Sequence, residues 1–368
     1  MKNIFTTLIM LLCVGVTFAG NPDRQGEAGA YELIMNPWAR SAGLHTMNTS
    51  FITGVESMRL NPAGLTRINK TELAFANTRY LVGTDVNFNA FGVAQRTKGG
   101  AFGVSIMTVD FGDIPTTTGD QPEGTGGTYS PSWFNLGLSY AHLFENKVSV
   151  GITGRGVAET TANVAAYGFA IDAGVQYVAG ANDEVKFGIS LRNVGTPMTF
   201  RGEGLTVGRE APQSEGNYVL SYFTRSQDFE LPSALNIGAS YDILFGNKSS
   251  DVELDSGTAE KVAKKPQGMR LTLTGNFTAN SFSRDQVGAG LEFSFKEMIM
   301  LRGGYKYELG SVSGSSIDEA PLYTGPSAGV TVQVPTSKKA QSNIAIDYAY
   351  RVSKIFDGTH NIGVRVNL

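Results

Sequence analysis

The feature that most constrains this chain is hydrophobic alternation with a period of two, repeated along most of its length. In 359–368, Ile362, Val364, Val366 and Leu368 alternate with Asn361, Gly363, Arg365 and Asn367. The same pattern runs through 185–192 and 269–277. Successive side chains of a strand point to opposite faces, so each segment has one apolar face and one polar or very small face. Such segments lie near 71–80, 85–96, 100–110, 133–142, 148–159, 167–179 and 185–193. Others lie near 231–242, 269–279, 286–295, 298–307, 327–334, 342–350 and 359–368, which makes fourteen. Most are close to the ~9–11 residues a tilted strand needs to cross a bilayer.

Composition agrees. Charged residues make up 17% of the chain, below the ~25% usual for soluble domains. Beyond residue 20 no run of apolar residues is long enough for a transmembrane helix. A formal net charge of -3 leaves no basic footprint for nucleic acid. Residues 1–19 read as a signal peptide: Lys2, an apolar run over 4–16, then Thr17-Phe18-Ala19 before Gly20. The single cysteine, Cys13, lies inside it, so the exported chain has no disulfide framework and no thiolate site.

The links between segments alternate in length. Those at 97–100, 145–147, 180–184, 296–297 and 335–341 are short, whereas 111–132, 194–230 and 308–326 are long. An even strand number with short turns at one end and long loops at the other is the layout of an outer-membrane barrel. The link 243–268 breaks the pattern, being long where a short turn is due. A soluble sandwich also alternates, but here aromatics gather near strand ends as in an interfacial girdle: Tyr80, Trp133, Tyr140, Tyr177, Tyr241, Tyr305, Tyr307, Tyr348 and Tyr350. The expectation is therefore all-β: a 14-stranded antiparallel outer-membrane β-barrel over 70–368. It would touch the lipid bilayer and lipopolysaccharide, with long loops outside the cell and both termini periplasmic.

The polar faces carry Arg155, Asp172, Arg192, Arg270, Glu292, Arg302, Asp347 and Arg365, which on the barrel reading line the lumen as one polar network. Fourteen strands lined by glycine and short polar residues leave a hole to be filled. The Gly- and Asn-rich segment 20–69 precedes the first strand, so it is expected to start at the periplasmic mouth and fold back inside as a hatch. Within it, Asn61-Pro62-Ala63-Gly64 is a strong local break, because Pro fixes its own φ and biases the residue before it away from the helical region.

The stretch 36–65, "NPWARSAGLHTMNTSFITGVESMRLNPAGL", is similar to the opening of FadL-like barrels, and more closely to their PorV/PorQ branch. That branch shows an Ala-Arg-Ser/Ala-Ala-Gly element followed by an Asn-Pro-Ala turn; here these are Ala39-Arg40-Ser41-Ala42-Gly43 and Asn61-Pro62-Ala63. Leu44-His45 stand where a Met-Gly pair is common, and Met58-Arg59-Leu60 where an aromatic residue often precedes the Asn. The resemblance implies a fourteen-stranded barrel with an N-terminal hatch and a part in type IX protein secretion. The partners implied are the C-terminal signal domains of secreted cargo and a large translocon barrel. Exposed apolar residues of the long loops would make that contact: Ile114, Met198, Phe200, Tyr222 and Phe223, with Tyr218 and Leu220 beside them.

The alternative is transport, since FadL relatives carry hydrophobic small molecules through the barrel. Such a route needs a mostly apolar pocket. The polar stripe counts against it, leaving Phe51, Ile52, Val55, Met58 and Leu60 of the hatch to supply one. A water-filled porin ranks third because of the hatch. His45, His142 and His360 are far apart and lack metal-ligand spacing, and "GEGLTVG" at 202–208 has the wrong glycine spacing for a dinucleotide loop. No catalytic, metal or cofactor site is read, and no cofactor is expected.

Overall fold

The computed structural model describes residues 20–84, 86–145, 147–210, 219–245, 268–310, 324–337, 342–353 and 358–368. Residues 1–19, read above as a signal peptide, Tyr218 and residues 246–267 of the aberrant link lie outside the described residues.

The alternating segments form a closed antiparallel barrel of fourteen strands. In chain order they are β1 (Thr71–Arg79), β2 (Asn87–Thr97), β3 (Gly100–Asp110), β4 (Ser132–Phe144), β5 (Val148–Thr161), β6 (Val164–Ala179) and β7 (Val185–Gly195). There follow β8 (Ala234–Phe245), β9 (Met269–Asn280), β10 (Gln286–Phe295), β11 (Ile299–Glu308), β12 (Gly325–Ser337), β13 (Ser342–Arg351) and β14 (Thr359–Asn367). Each pairs with its sequence neighbours, and β1 closes on β14 from Glu72 opposite Asn367 to Arg79 opposite His360. Closure leaves no unpaired edge, the condition for a sheet in hydrocarbon. Each expected strand is present. β5 and β6, joined by the short link 162–163, run further at that end than the alternation showed, whereas β8 begins three residues later than expected. Two loops carry short hairpins of their own, Ile114–Pro115 with Thr128–Tyr129 and Thr206–Glu210 with Val219–Phe223.

Large apolar side chains face outward around the wall, among them Phe75, Leu138, Tyr167, Ile189, Leu301, Tyr305 and Ile346. Trp133 departs from the girdle assignment. It points into the barrel, 1% exposed, with its ring 5.6 Å from that of Phe88.

The N-terminal segment lies inside the barrel and runs its full height. Gly20 sits against Ser283 and Asp285, at the end where the long loops emerge. Arg24 packs over the Phe282 ring at 4.1 Å and pairs with Glu230 at 3.3 Å. At the other end Thr71 and Leu368 exchange backbone hydrogen bonds of 2.9 and 3.3 Å. The described chain thus begins at the long-loop mouth and ends at the short-turn mouth. This differs from the expectation of both ends at one mouth: sequence gives the length of the segment but not the direction in which it threads, and the partners that fix direction are on loops far away in sequence.

Inward-facing glycines make room for this segment. A Cβ on Gly174 would overlap the Asn61 side chain, and one on Gly151 would overlap the Pro62–Ala63 peptide. By contrast, Gly156 faces open space. Gly174→Val should therefore cost about 1–3 kcal/mol by overpacking, whereas Gly156→Val should be near neutral. Thermal unfolding in detergent, followed by the loss of heat-modifiable gel mobility, distinguishes the two.

Candidate functional site

The site is the filled lumen, and the filling is built from turns. Ala39–Ala42 form one helical turn closed by Gly43. Gly43 packs against the backbone of Gly329 on β12, while Ala39 lies against Gly363 on β14. The Ser41 hydroxyl donates to Glu56 Oε2 at 2.8 Å, and Arg40 Nε lies 3.2 Å from Glu56 Oε1. Asn61 caps the 3₁₀ turn Pro62–Arg67: its Oδ1 accepts from the Ala63 N–H at 3.2 Å. Its amide then donates to the Thr49 carbonyl at 3.0 Å and to that of Val175, on β6, at 3.1 Å. The sequence element Asn61-Pro62-Ala63-Gly64 is thus the turn by which the segment is tied to the wall.

The eight charged residues expected to form one network fall into two groups. Arg155, Asp172 and Arg192 lie together on β5, β6 and β7. Arg155 Nε lies 2.5 Å from Asp172 Oδ2, with both side chains fully buried. Arg155 also donates to Asn135 Oδ1 at 3.1 Å and to the Met58 carbonyl. The other carboxylate oxygen of Asp172 accepts from the Asn193 N–H at 2.7 Å. That bond replaces the ladder bond lost at a β-bulge between β6 and β7, where Asn193 has φ +58°, a conformation asparagine tolerates better than most residues. Arg192 donates to the Arg59 carbonyl at 3.3 Å. Arg59 itself is fully buried and caps the turn Tyr31–Ile34 through the carbonyls of Glu32, Leu33 and Met35. Burial, followed by the nearby Arg155 and Arg192 charges, pushes the Arg59 pKa down, while Asp172 opposes this. Asp172 pairs directly with Arg155 alone, and its charge offsets those of Arg59 and Arg192 from further away.

The second group joins β9 to β14. Arg270 reaches Glu292 at 2.9 Å and Glu297 at 3.0 Å; Arg302 reaches Glu292 at 2.5 Å; Arg365 lies 3.9 Å from Asp347. Thr331 bridges Arg302 to Asp347. These charges surround a cavity of about 210 Å³ at the short-turn end, lined in part by Arg40, Phe51, Arg67 and Glu72.

Against expectation, the lumen also holds an apolar cluster, set among polar inward residues such as Asn135, Ser139, Thr153 and Gln176. On β1 to β6 the inward side chains include Ala74, Ala76, Phe88, Ala90, Ala94, Met107, Val109, Trp133, Val157, Ala166 and Ala170. The segment meets this wall with Leu33, Trp38, Val55, Met58 and Leu65. Two of the hatch residues offered for an apolar pocket, Val55 and Met58, therefore belong to it, while Phe51 faces the lower cavity. Within this apolar region the indole N–H groups of Trp38 and Trp133 are buried without a hydrogen-bond partner. The sequence reading missed this cluster because its members are spread over six strands and meet only once the barrel closes.

The loop residues separate as well. Ile114, Tyr222 and Phe223 are exposed, Phe223 by 75%. Met198 and Phe200 are not: Met198 is 1% exposed, and its backbone bridges to Phe229. Phe200 packs edge-on against the Phe229 ring. Both belong to the loop folded over the mouth, where burying apolar surface outweighs display. The signals that sequence reading missed are Arg59, Trp38 and Glu72; Arg59 stood out only as a departure at a position where an aromatic residue is common.

No protein-family model matches the sequence, and no curated protein matches it. Among solved structures the barrel is similar to the CymD monoaromatic hydrocarbon channel, with a TM-score of 0.52 at 14% identity over 92% of this chain and 97% of that one. It is also similar to the Pseudomonas putida toluene transporter TodX, with a TM-score of 0.51 at 12% identity over 89% and 96%. A Pseudomonas aeruginosa FadL homologue matches at 0.46 and 10% identity, over 89% and 96%. The likeness is one of fold, a barrel shared with the CymD and TodX channels.

Asp172→Ala would leave Arg155 without its carboxylate, and Arg59 and Arg192 without its offsetting charge, and should cost about 3–5 kcal/mol; Asp172→Asn, which keeps an acceptor for the Asn193 N–H, should cost less. Urea unfolding in detergent measures both. His45 supplies a pH dependence. Burial, with Lys306 and Arg351 nearby, holds its imidazole pKa down at about 3, and its Nε2 lies 3.3 Å from the Pro326 carbonyl. The ordinary value is about 6.5, so between these values the released segment binds more protons than the docked one. The His45 contribution to docking should therefore be constant above ~6.5 and fall with pH through that window, read as the difference from a chain lacking the imidazole. Proteolysis of the N-terminal segment across pH should show this, and His45→Asn, which tolerates its left-handed φ of +49°, should abolish it.

Proposed function

We propose that this protein is an outer-membrane channel for small hydrophobic molecules, closed at rest by its N-terminal segment. The observation that carries the reading is the apolar cluster on β1 to β6, with Phe88, Met107, Val109, Trp133 and Ala166, packed against Leu33, Trp38 and Met58 of the segment. A small-molecule route needs mostly apolar lining with few polar anchors, and the buried, unpartnered N–H groups of Trp38 and Trp133 are of that kind. The neighbours of the same fold described as monoaromatic hydrocarbon and toluene channels suggest the ligand class to test first. The segment 20–69 acts as the hatch, with the long loops outside the cell.

Secretion stands second. Ile114, Tyr222 and Phe223 remain exposed at the long-loop end and could meet a translocon barrel or a cargo C-terminal domain, although Met198 and Phe200 no longer contribute.

The deciding experiment is uptake of radiolabelled toluene by cells expressing the protein. Faster uptake than in cells lacking it, abolished by Ala166→Trp in the apolar cluster, is the expected result. Unchanged uptake together with co-purification of a very large barrel protein would instead favour secretion. Separately, deleting residues 21–60 should turn a closed barrel into a conducting one in planar bilayers; no rise in conductance would remove the segment as the closing element.

A further inference from the structure

The outer wall of β1 and β2 differs from the rest of the barrel. On β4 to β14 the outward face within the strands is carried by apolar, aromatic or small residues, as along β6 with Tyr167, Phe169, Ile171, Ala173, Val175 and Tyr177. On β1 the outward residues are Thr71, Leu73, Phe75, Asn77 and Arg79, and on β2 they are Asn87, Asn89, Phe91, Val93 and Gln95. The two strands pair so that Asn77 stands opposite Asn89 and Thr71 opposite Gln95. Asn77 Nδ2 donates to Asn89 Oδ1 at 2.7 Å, and the Thr71 hydroxyl donates to Gln95 Oε1 at 2.6 Å. Only Leu73, Phe75, Phe91 and Val93 lie between these two polar rungs.

The dimensions matter. From Thr71 to Asn77 is six residues, which at ~3.3 Å per residue and a ~40° tilt spans only ~15 Å along the membrane normal. From Tyr167 to Tyr177 on β6 is ten residues, or ~25 Å, the usual height of a barrel's apolar band. One bond between two primary amides uses one of several donors and acceptors, and hydrocarbon can satisfy none of the remainder. At the long-loop end Arg79 is exposed directly above Asn77, with Asp110 of β3 opposite Asn87.

We infer that the β1–β2 wall is a lipid-contact surface at which the outer membrane is locally thinned, with headgroups of the leaflet at the long-loop end reaching down to the Asn77–Asn89 pair. The partner is lipid: a headgroup phosphate matches the exposed Arg79 guanidinium, and headgroup oxygens and their water serve the amides. A wall shorter than the surrounding hydrocarbon is accommodated by bilayer thinning, at a cost that grows with mismatch. This stands apart from what passes through the lumen.

The test uses the full exported chain, refolded into dilauroyl- and dioleoyl-phosphatidylcholine vesicles, against Asn77→Leu/Asn89→Leu. Both positions face outward, so the variant leaves the lumen untouched. The ratio of unfolding rates between the thicker and thinner bilayers should fall about threefold or more in the variant, because its apolar band is taller. A ratio equal to that of the unaltered chain would overturn the inference. The exported chain has no cysteine, so single cysteines report position directly. In the dioleoyl vesicles Asn77→Cys should react with a water-soluble maleimide while Ala173→Cys on β6 stays protected. Protection of both, or an intermolecular disulfide at position 77 marking a protein partner, would also overturn it.

Discussion

A single buried carboxylate organises the interior. Asp172 faces Arg155 directly, takes up the backbone N–H left over at the β6–β7 bulge, and balances the charge of Arg59 and Arg192. Through Arg155 the pair holds the Met58 carbonyl, and through Arg192 the Arg59 carbonyl. Three wall strands and the N-terminal segment meet at one ion pair. Such a pair adds little net stability over apolar packing, but losing one partner strands the other charge in a low-dielectric site. It therefore specifies one docked arrangement of the segment more than it strengthens the barrel.

Around that point the lumen divides by chemistry. An apolar cluster on β1 to β6 meets the apolar residues of the segment, whereas β9 to β14 carry ion pairs around the lower cavity. The segment is correspondingly two-sided: Leu33, Trp38, Val55 and Met58 join the apolar cluster, while Arg40, paired with Glu56 inside the segment, lines the lower cavity. A filling that satisfies both walls needs short turns, which place successive side chains in different directions. Five helical turns of three to six residues provide them.

Much of this was legible in the sequence. Alternation located each barrel strand, and glycines on inward faces lie where the segment comes close, backbone at Gly151 and the Asn61 side chain at Gly174. The Asn61–Gly64 turn was visible as a break, and its role as a tether fits its position just before β1. Less legible was the side each face takes on β1 and β2. There Asn87 and Asn89 alternate with Phe88 and Ala90, and a reading by polarity alone would send the asparagines inward; in the structure Phe88 and Ala90 face the lumen. Nor could exposed loop residues be told from packed ones: Met198 and Phe223 look alike in a Gly- and Pro-rich stretch, yet only Phe223 is exposed.

The sequence by itself determined the strand number, the antiparallel barrel and the need for an internal filling, because period-two alternation and link lengths are local properties that each segment carries alone. Only the tertiary structure decided where the apolar cluster of the lumen lies, that the described N-terminal segment begins at the long-loop mouth, and that Arg155 pairs with Asp172. Those outcomes depend on contacts between residues as far apart as Asn36 and Arg351 or Gly43 and Ser327. Register around a closed barrel sets such contacts, and no local pattern encodes them.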